Sequence, residues 1–549
     1  MALLILGGVS GGSRPTLPEN YAVSNAAPGF KARYRGEFFD VYSTPLKTRY
    51  GDVYNKFDFS KSAGTTVELP AEIVRRFNGS AMAITGFEPS IVRKGAFGEE
   101  LVPCTEMYNH HWSNMMFGLD SPESFNDDDE GEDWVYSGAR SWGARAGGAQ
   151  TAQFFSEGNG NEHRLSFRGY AEGYAQVISS PTHFAPGLMF IDTRWDDAPL
   201  APLIPRTAIP AQDYSPLLEC PCSTRRVIGN DTIDGIPVKF GCDFEGENTG
   251  VGRAMMKMMN NTACRMETMH GGSNCCRDKM VLLDEDQRQP ELVHETFFKT
   301  RFYFEEARQQ HENLFRVYWQ AELRNNEYDV PACAPHVKPS DCVFVMTNEG
   351  VASETLWSAD PTGPGRLVDQ HGFNCRFRGR ESGGPVSTIF RQCFASWRAR
   401  WRLSETAVQP LLTRRSRPVQ WTEKGIKLIY LGGHCHVGCL SLDLINMNTG
   451  ETICHAEPTY SPKGSGAALD EPGYALSLPP CLWADDDPNL EPPYALKPTD
   501  RIQIIARYNS SRLLLLRNNN NDRGVDPRTT EIAHYGVMSM FQGRAAQAH

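Results

Sequence analysis

No run of this chain approaches the ~18 to 20 apolar residues that a membrane-spanning helix needs, so no such span is expected. Cationic excess is missing too. Against 55 Lys and Arg stand 66 Asp and Glu, a formal net charge of -11, whereas a nucleic-acid partner calls for a basic footprint. No fixed-period repeat is present, which sets solenoids and propellers aside. The Cys-x2-Cys spacing of structural zinc sites is absent. So is the HExxH pattern that would give a zinc hydrolase its general base. Met1–Val9 is apolar but short and lacks a basic flank; it reads either as the remnant of a signal peptide or as a first strand.

What remains is a long chain rich in β-formers. With 549 residues it exceeds one core, and 28 Phe, 19 Tyr, 10 Trp, 49 Gly and 36 Pro point to strands joined by turns. The predicted fold is mostly β: two jelly-roll-like β-sandwich domains joined through a disulfide-rich segment. The expected divisions are an N-terminal arm at 1–34, a first sandwich at 35–210, a cysteine-rich segment at 211–290 and a second sandwich at 291–549. The first boundary rests on Pro199, Pro202, Pro205 and Pro210.

Of 15 cysteines, six crowd together as Cys220, Cys222, Cys242, Cys264, Cys275 and Cys276. Their spacing reads as a disulfide framework, and so as folding in an oxidising compartment: a secreted or luminal protein. Sequons at Asn78, Asn230, Asn260 and Asn509 fit secretion and glycosylation. The methionines Met255, Met256, Met258, Met259, Met266 and Met269 read as flexible core filler, with copper transfer the alternative. The acidic stretch Asn126–Asp133 reads as a solvated turn, with calcium the alternative. Buried-strand character is expected over Phe184–Thr193, two strands between Glu295 and Leu323, a polar-faced strand over Trp397–Leu403, and a loop insertion at Asn518–Asn521.

Chemistry concentrates in two histidine pairs more than three hundred residues apart, His110-His111 and His434-Cys435-His436. On a strand, i and i+2 share a face. His434 and His436 therefore project together, with Cα atoms ~6.6 Å apart. Cys435 and Cys439 would then lie ~13 Å apart on a straight strand, too far to bridge, which leaves Cys454 or Cys481 as partners. His110 and His111 face apart on a regular strand and reach one ion only if the backbone bulges. Met538 and Met540 add thioethers near His534. Imidazole with thioether suits copper, because soft sulfur favours Cu(I) while imidazole serves both oxidation states.

Seven pieces occur in one order: Glu106-x3-His110-His111-Trp112; Ile191-Asp192-Thr193-Arg194; Glu219-Cys220-x-Cys222; Cys275-Cys276; Gly433-His434-x-His436-x-Gly438; Glu471-Pro472-Gly473-Tyr474; and His534-x-Gly536-Val537-Met538. Together they resemble the plant and microbial stress up-regulated nodulin family, from about Thr65 to Gln542. The pattern also resembles the copper type II, ascorbate-dependent monooxygenases. That resemblance implies two copper sites across a solvent-filled cleft, with ascorbate as electron source. By it, His434, His436 and Met538 match the oxygen-activating site, and His110 and His111 the electron-transfer site. A third histidine is expected before the linker, but the strand Gly187–Arg194 carries Met189, with His183 close by and His163 farther off.

The expectation is a secreted copper-binding protein of monooxygenase-like fold, an ascorbate- and O2-dependent hydroxylase of unread substrate. The alternative is a non-catalytic extracellular component of a wall, coat or larger assembly that keeps the fold. Zinc hydrolysis on His434 and His436 finds no HExxH-type general-base motif in the sequence.

Overall fold

The computed structural model describes residues 21–96, 98–104, 106–123, 151–156, 165–194, 291–320, 425–436, 438–460, 475–497, 499–509 and 539–547, with residue 278 and short strand segments elsewhere. It is mostly β, as expected, and its strands form two jelly-roll-like sandwiches.

The first sandwich faces a seven-stranded sheet against a five-stranded one. In the larger sheet Glu37–Tyr42, His294–Glu306, Ala81–Gly95, Tyr174–Ser179 and Glu312–Asn313 follow in that order. The smaller runs Val53–Lys56, Pro181–Asp192, Met107–Gly118 and Ala152–Phe155. Phe39, Phe87, Trp112, Phe155, Phe184, Phe190, Phe298 and Phe302 fill the space between. Their edge-to-face packing contributes about 0.5–1.5 kcal/mol per pair beyond burial. Pro186 sits mid-strand. Its strand is flanked on one side by Val67–Glu68 at 183–184 and by Val53–Lys56 at 188–191. The proline falls in the gap between them, where no ladder donor is required.

Both strands expected between Glu295 and Leu323 are present. They lie in different sandwiches. His294–Glu306, which the expected boundary at residue 291 assigns to the second domain, pairs in register with Glu37–Tyr42 and Ala81–Gly95 of the first sheet. Phe315–Gln320 pairs instead with Ser539–Gln547 of the second sandwich. Alternation reveals a strand but not the sheet it joins.

The second sandwich sets Phe315–Gln320, Ser539–Gln547, Ile426–Cys435 and Cys481–Leu482 against Gly350–Ser353, Val343–Thr347, Ile502–Asn509, Cys439–Asn446 and Glu451–Ala456. Cys454 of one sheet and Cys481 of the other form a disulfide. The second bridge corrects the sequence reading: Cys435 is bonded to Cys439, with Cα atoms 6.1 Å apart. The chain does not run straight between them. Gly438 takes φ 95° and the Cys439 amide donates to the His436 carbonyl at 3.2 Å, so 435–439 is a turn from one sheet into the other.

The sandwiches pack on each other. Phe167, Tyr170, Tyr174 and Leu314 share a buried cluster with Ile429, Tyr430, Leu482 and Ala546. Arg544, fully buried, donates through Nε to Gln176 Oε1 at 3.0 Å and through Nη2 to the Phe154 carbonyl at 3.2 Å. The arm also joins both halves. Tyr21 Oη donates to Glu88, while Asn25 exchanges two hydrogen bonds with the Leu482 backbone. The acidic stretch 126–133, the proline-rich run, the methionine cluster, Trp397–Leu403 and Asn518–Asn521 lie outside the described residues.

Candidate metal centre

Ile426–Cys435 delivers His434 from the centre of its sheet. Gly432 and Gly433 precede it, and a Cβ on Gly433 would press into Leu478 and Leu442. Those two side chains leave little room for a larger residue there. His434 and His436 share a face, as alternation predicts, and their ring centres lie 5.2 Å apart, edge to face. The backbone of His436 is held from outside the turn: its amide donates to Tyr508 Oη at 2.9 Å, and that hydroxyl bonds Ser539 Oγ at 2.8 Å.

His110 arrives from the other sandwich. In the pairing of Met107–Gly118 with Pro181–Asp192, Met189 opposes His111 and Phe190 opposes Asn109. His110 is thus the additional residue of a β-bulge, the irregularity that two adjacent histidines require. Its ring centre lies 6.0 Å from that of His436 and 5.7 Å from that of Tyr108. The three histidines are 1%, 2% and 4% exposed in chain order. Three buried imidazoles from two sandwiches therefore form a row, His434 against His436 and His436 against His110.

The other expected ligands distribute differently. The backbone of His111 lies opposite that of Met189; the His111 side chain, Met538 and His163 lie outside the described residues. Met189 is buried on the strand face opposite to Leu188 and Phe190, which point into the first core. His183 is six residues, ~20 Å, back along that strand, with Nδ1 2.9 Å from Thr182 Oγ1. It does not join the imidazoles. The sequence reading named Met540 as a second thioether near His534 but gave the ligand role to Met538; the Cα of Met540 pairs with that of His434. Opposed residues of an antiparallel pair share a face with Cβ atoms ~4.5–5.5 Å apart, so this fully buried side chain leaves its strand next to that of His434. Gln542 Nε2 donates to its sulfur at 3.5 Å. Its position in the motif was visible, but the strand register that brings it to His434 was not.

The resemblance implies two sites across a cleft. Here one imidazole of the first pair touches one of the second. Among the described residues, no three His, Cys, Asp or Glu side chains stand already disposed around a common ion position. Two of the ring separations are nonetheless of the size that a shared ion would set. An imidazole nitrogen lies roughly 1.2 Å from its ring centre and binds a transition ion at ~2.0–2.1 Å. Two rings on one ion at tetrahedral to wider angles thus hold their centres about 5–6 Å apart. Both observed separations fall there.

Fold and site together define a two-sandwich β-protein with an imidazole cluster on the seam. No protein-family model matches the chain, and no curated protein matches it. Among solved structures, a chain from the crystal structure of PBCV-1 VP54 fitted into a cryo-EM reconstruction of the virophage Sputnik is similar at 7% identity over 94% of this chain and 96% of that one, with a TM-score of 0.19. At that score the superposition does not define a shared fold. No described helix is long and apolar enough to cross a membrane.

Proposed function

We propose that this chain is a copper-binding protein of an oxidising compartment, secreted or luminal, which holds one ion between its two sandwiches through His110, His434 and His436. The observation that carries the reading is the pair of ring separations, 5.2 and 6.0 Å, among three buried imidazoles from distant parts of the chain. Met540 beside His434 adds a soft donor that favours Cu(I). The buried Cys435–Cys439 and Cys454–Cys481 bridges support an oxidising setting.

Bound copper would supply a redox-active Lewis acid. The residues do the rest. The Cys435–Cys439 turn and the Tyr508 hydroxyl fix His436, the bulge presents His110, and the surrounding strands exclude bulk water. A closed site on a domain seam favours a structural ion and a non-catalytic component of an extracellular assembly. The hydroxylase reading, with ascorbate as reductant and a second ion on His111, Met189 or His183, asks for a separate, open centre; the contact of His110 with His436 speaks for a single one.

Copper content of the purified chain tests this directly. Stoichiometric copper that disappears in both His434→Ala and His436→Ala is expected, with folding checked by circular dichroism. Unchanged copper in all of the His110, His434 and His436 alanine variants would reject the site. Oxygen uptake on adding ascorbate would move the reading from structural ion to hydroxylase.

A further inference from the structure

The strand that carries His110 begins in a network of polar contacts. Asp192 ends the neighbouring strand opposite Met107. The Thr193 amide donates to the Glu106 carbonyl at 3.1 Å, and Arg194 Nε lies 3.5 Å from Glu106 Oε2. The Arg93 guanidinium donates to the same carboxylate oxygen. Asp192 is fully buried and is held in turn from the opposite sheet. Its Oδ2 accepts Thr48 Oγ1 at 2.8 Å and lies 2.9 Å from His294 Nδ1, while its Oδ1 accepts the Arg194 amide at 3.1 Å.

Met107 and Trp112 lie in the same core although they are five positions apart. On an unbroken strand, residues an odd number apart face opposite ways. The core therefore requires one extra residue between them, and the register places it at His110. A bulge leaves its extra residue unpaired. A one-residue slip of 107–109 would restore regular pairing by setting His110 opposite Phe190. It would also turn His110 to the face of Phe190, into the first core, and take Met107 out of it. Beyond the bulge the strand cannot move: Trp112 is fully buried, and the pairing runs without a break from Leu188 and Trp112 to His183 and Phe117. Slippage is open only toward Glu106. There it would pull Glu106 off Arg93, Arg194 and the Thr193 amide. Asp192 cannot follow, because Thr48 and His294 tie it to the other sheet.

We propose that Glu106, Asp192 and His294 are positioning residues for His110. Together they lock the register in which the bulge turns its imidazole away from the first core and toward His436. The inference rests on the copper reading for what His110 binds; the lock itself needs no ion.

Two measurements on the full-length chain test the lock. Electron paramagnetic resonance of the Cu(II)-loaded protein counts coordinated imidazoles, and amide hydrogen exchange of the metal-free protein reads the strand directly. Three imidazoles are expected in the wild-type chain. Glu106→Ala and Asp192→Asn should each show two, with copper bound about tenfold more weakly, as loss of a group that orients a ligand entails. Both should exchange faster over 107–112 and no faster over Ile426–Cys435. Arg76→Ala, which removes ion pairs to Glu37 and Glu306 on the same sandwich, should keep three imidazoles at wild-type affinity. Three imidazoles at wild-type affinity in Glu106→Ala overturn the proposal, and that variant decides alone if Asp192→Asn does not fold. Loss of an imidazole in Arg76→Ala also overturns it. If the wild-type chain shows no three-imidazole copper, the metal reading fails, and exchange judges the lock by itself: unchanged protection of 107–112 in Glu106→Ala overturns it.

Discussion

Replacing each disulfide in turn by a pair of serines separates what the two bridges do. Cys454–Cys481 closes a loop of 27 residues and Cys435–Cys439 one of 4. With a chain-entropy loss of about 2.1 + 1.5R ln n cal/mol/K, the long loop stabilises by ~3.5 kcal/mol at 25 °C and the short one by ~1.9 kcal/mol. Both bridges are buried, so each serine pair also costs a comparable amount in desolvation, and the difference of ~1.6 kcal/mol should survive. The assay is urea unfolding of the metal-free chain under non-oxidising conditions, each variant against wild type. Cys454→Ser/Cys481→Ser should have the lower midpoint. The order should reverse for copper: the short bridge spans the turn that carries His436, so its loss weakens binding more. If Cys435→Ser/Cys439→Ser is the less stable variant without metal, loop closure is not what these bridges contribute. If it binds copper as wild type does, the turn is not what positions His436.

Three further outcomes follow from single residues. Gly36 has φ 84°, and a Cβ there would strike the Phe304 carbonyl oxygen; Gly36→Ala should therefore lose at least ~1–2 kcal/mol, read as a lower urea midpoint, and a neutral result would contradict that backbone. Arg544→Met should cost about 1.5–3 kcal/mol by removing charge-assisted hydrogen bonds to the Gln176 and Phe154 oxygens, which keep Tyr170 Oη and Gln176 Nε2 as donors, and a loss below about 1 kcal/mol would mean the seam relaxes around it. The His455 pKa is raised, first by its hydrogen bond to Asp443, with burial opposing. Protonated His455 therefore stabilises the fold at pH below its unfolded value, and the contribution disappears as pH rises through the folded value. Because the side chain is half-exposed, the effect is a few tenths of a kcal/mol. His455→Gln should flatten the urea midpoint between pH ~5 and ~8; an unchanged slope would remove His455 from the account.

Local pattern made part of this molecule legible. Alternation in Ile426–Cys435 put His434 and His436 on one face, and an adjacent histidine pair required the irregularity that the register at Met189 and Phe190 contains. The strands at 181–192, 294–306 and 315–320 followed from apolar and aromatic periodicity. Everything decided by long-range register was hidden. Nothing near His294 says that its strand lies between Glu37–Tyr42 and Ala81–Gly95. Nothing near Met540 says that it will oppose His434. The Cys435–Cys439 bridge was missed because a straight strand was assumed through Gly438, the one residue whose freedom at positive φ was the signal for a turn.

The seam explains why buried polar groups cluster where they do. An apolar seam could hold two sandwiches together in several nearly equivalent ways, since apolar burial is not directional. Arg544 on Gln176, Tyr430 Oη on the Phe167 carbonyl at 3.0 Å, and Asn25 on Leu482 each satisfy their hydrogen bonds in only one relative placement. A buried polar group displaced from its partner costs about 1–3 kcal/mol, so a shifted docking loses several such increments at once. That is the precondition for a composite site. His110 belongs to one sandwich and His434 and His436 to the other, and their ring spacing is meaningful only if the two halves hold one register. The polar seam, rather than the apolar cores, fixes the relative placement on which the proposed three-imidazole site depends.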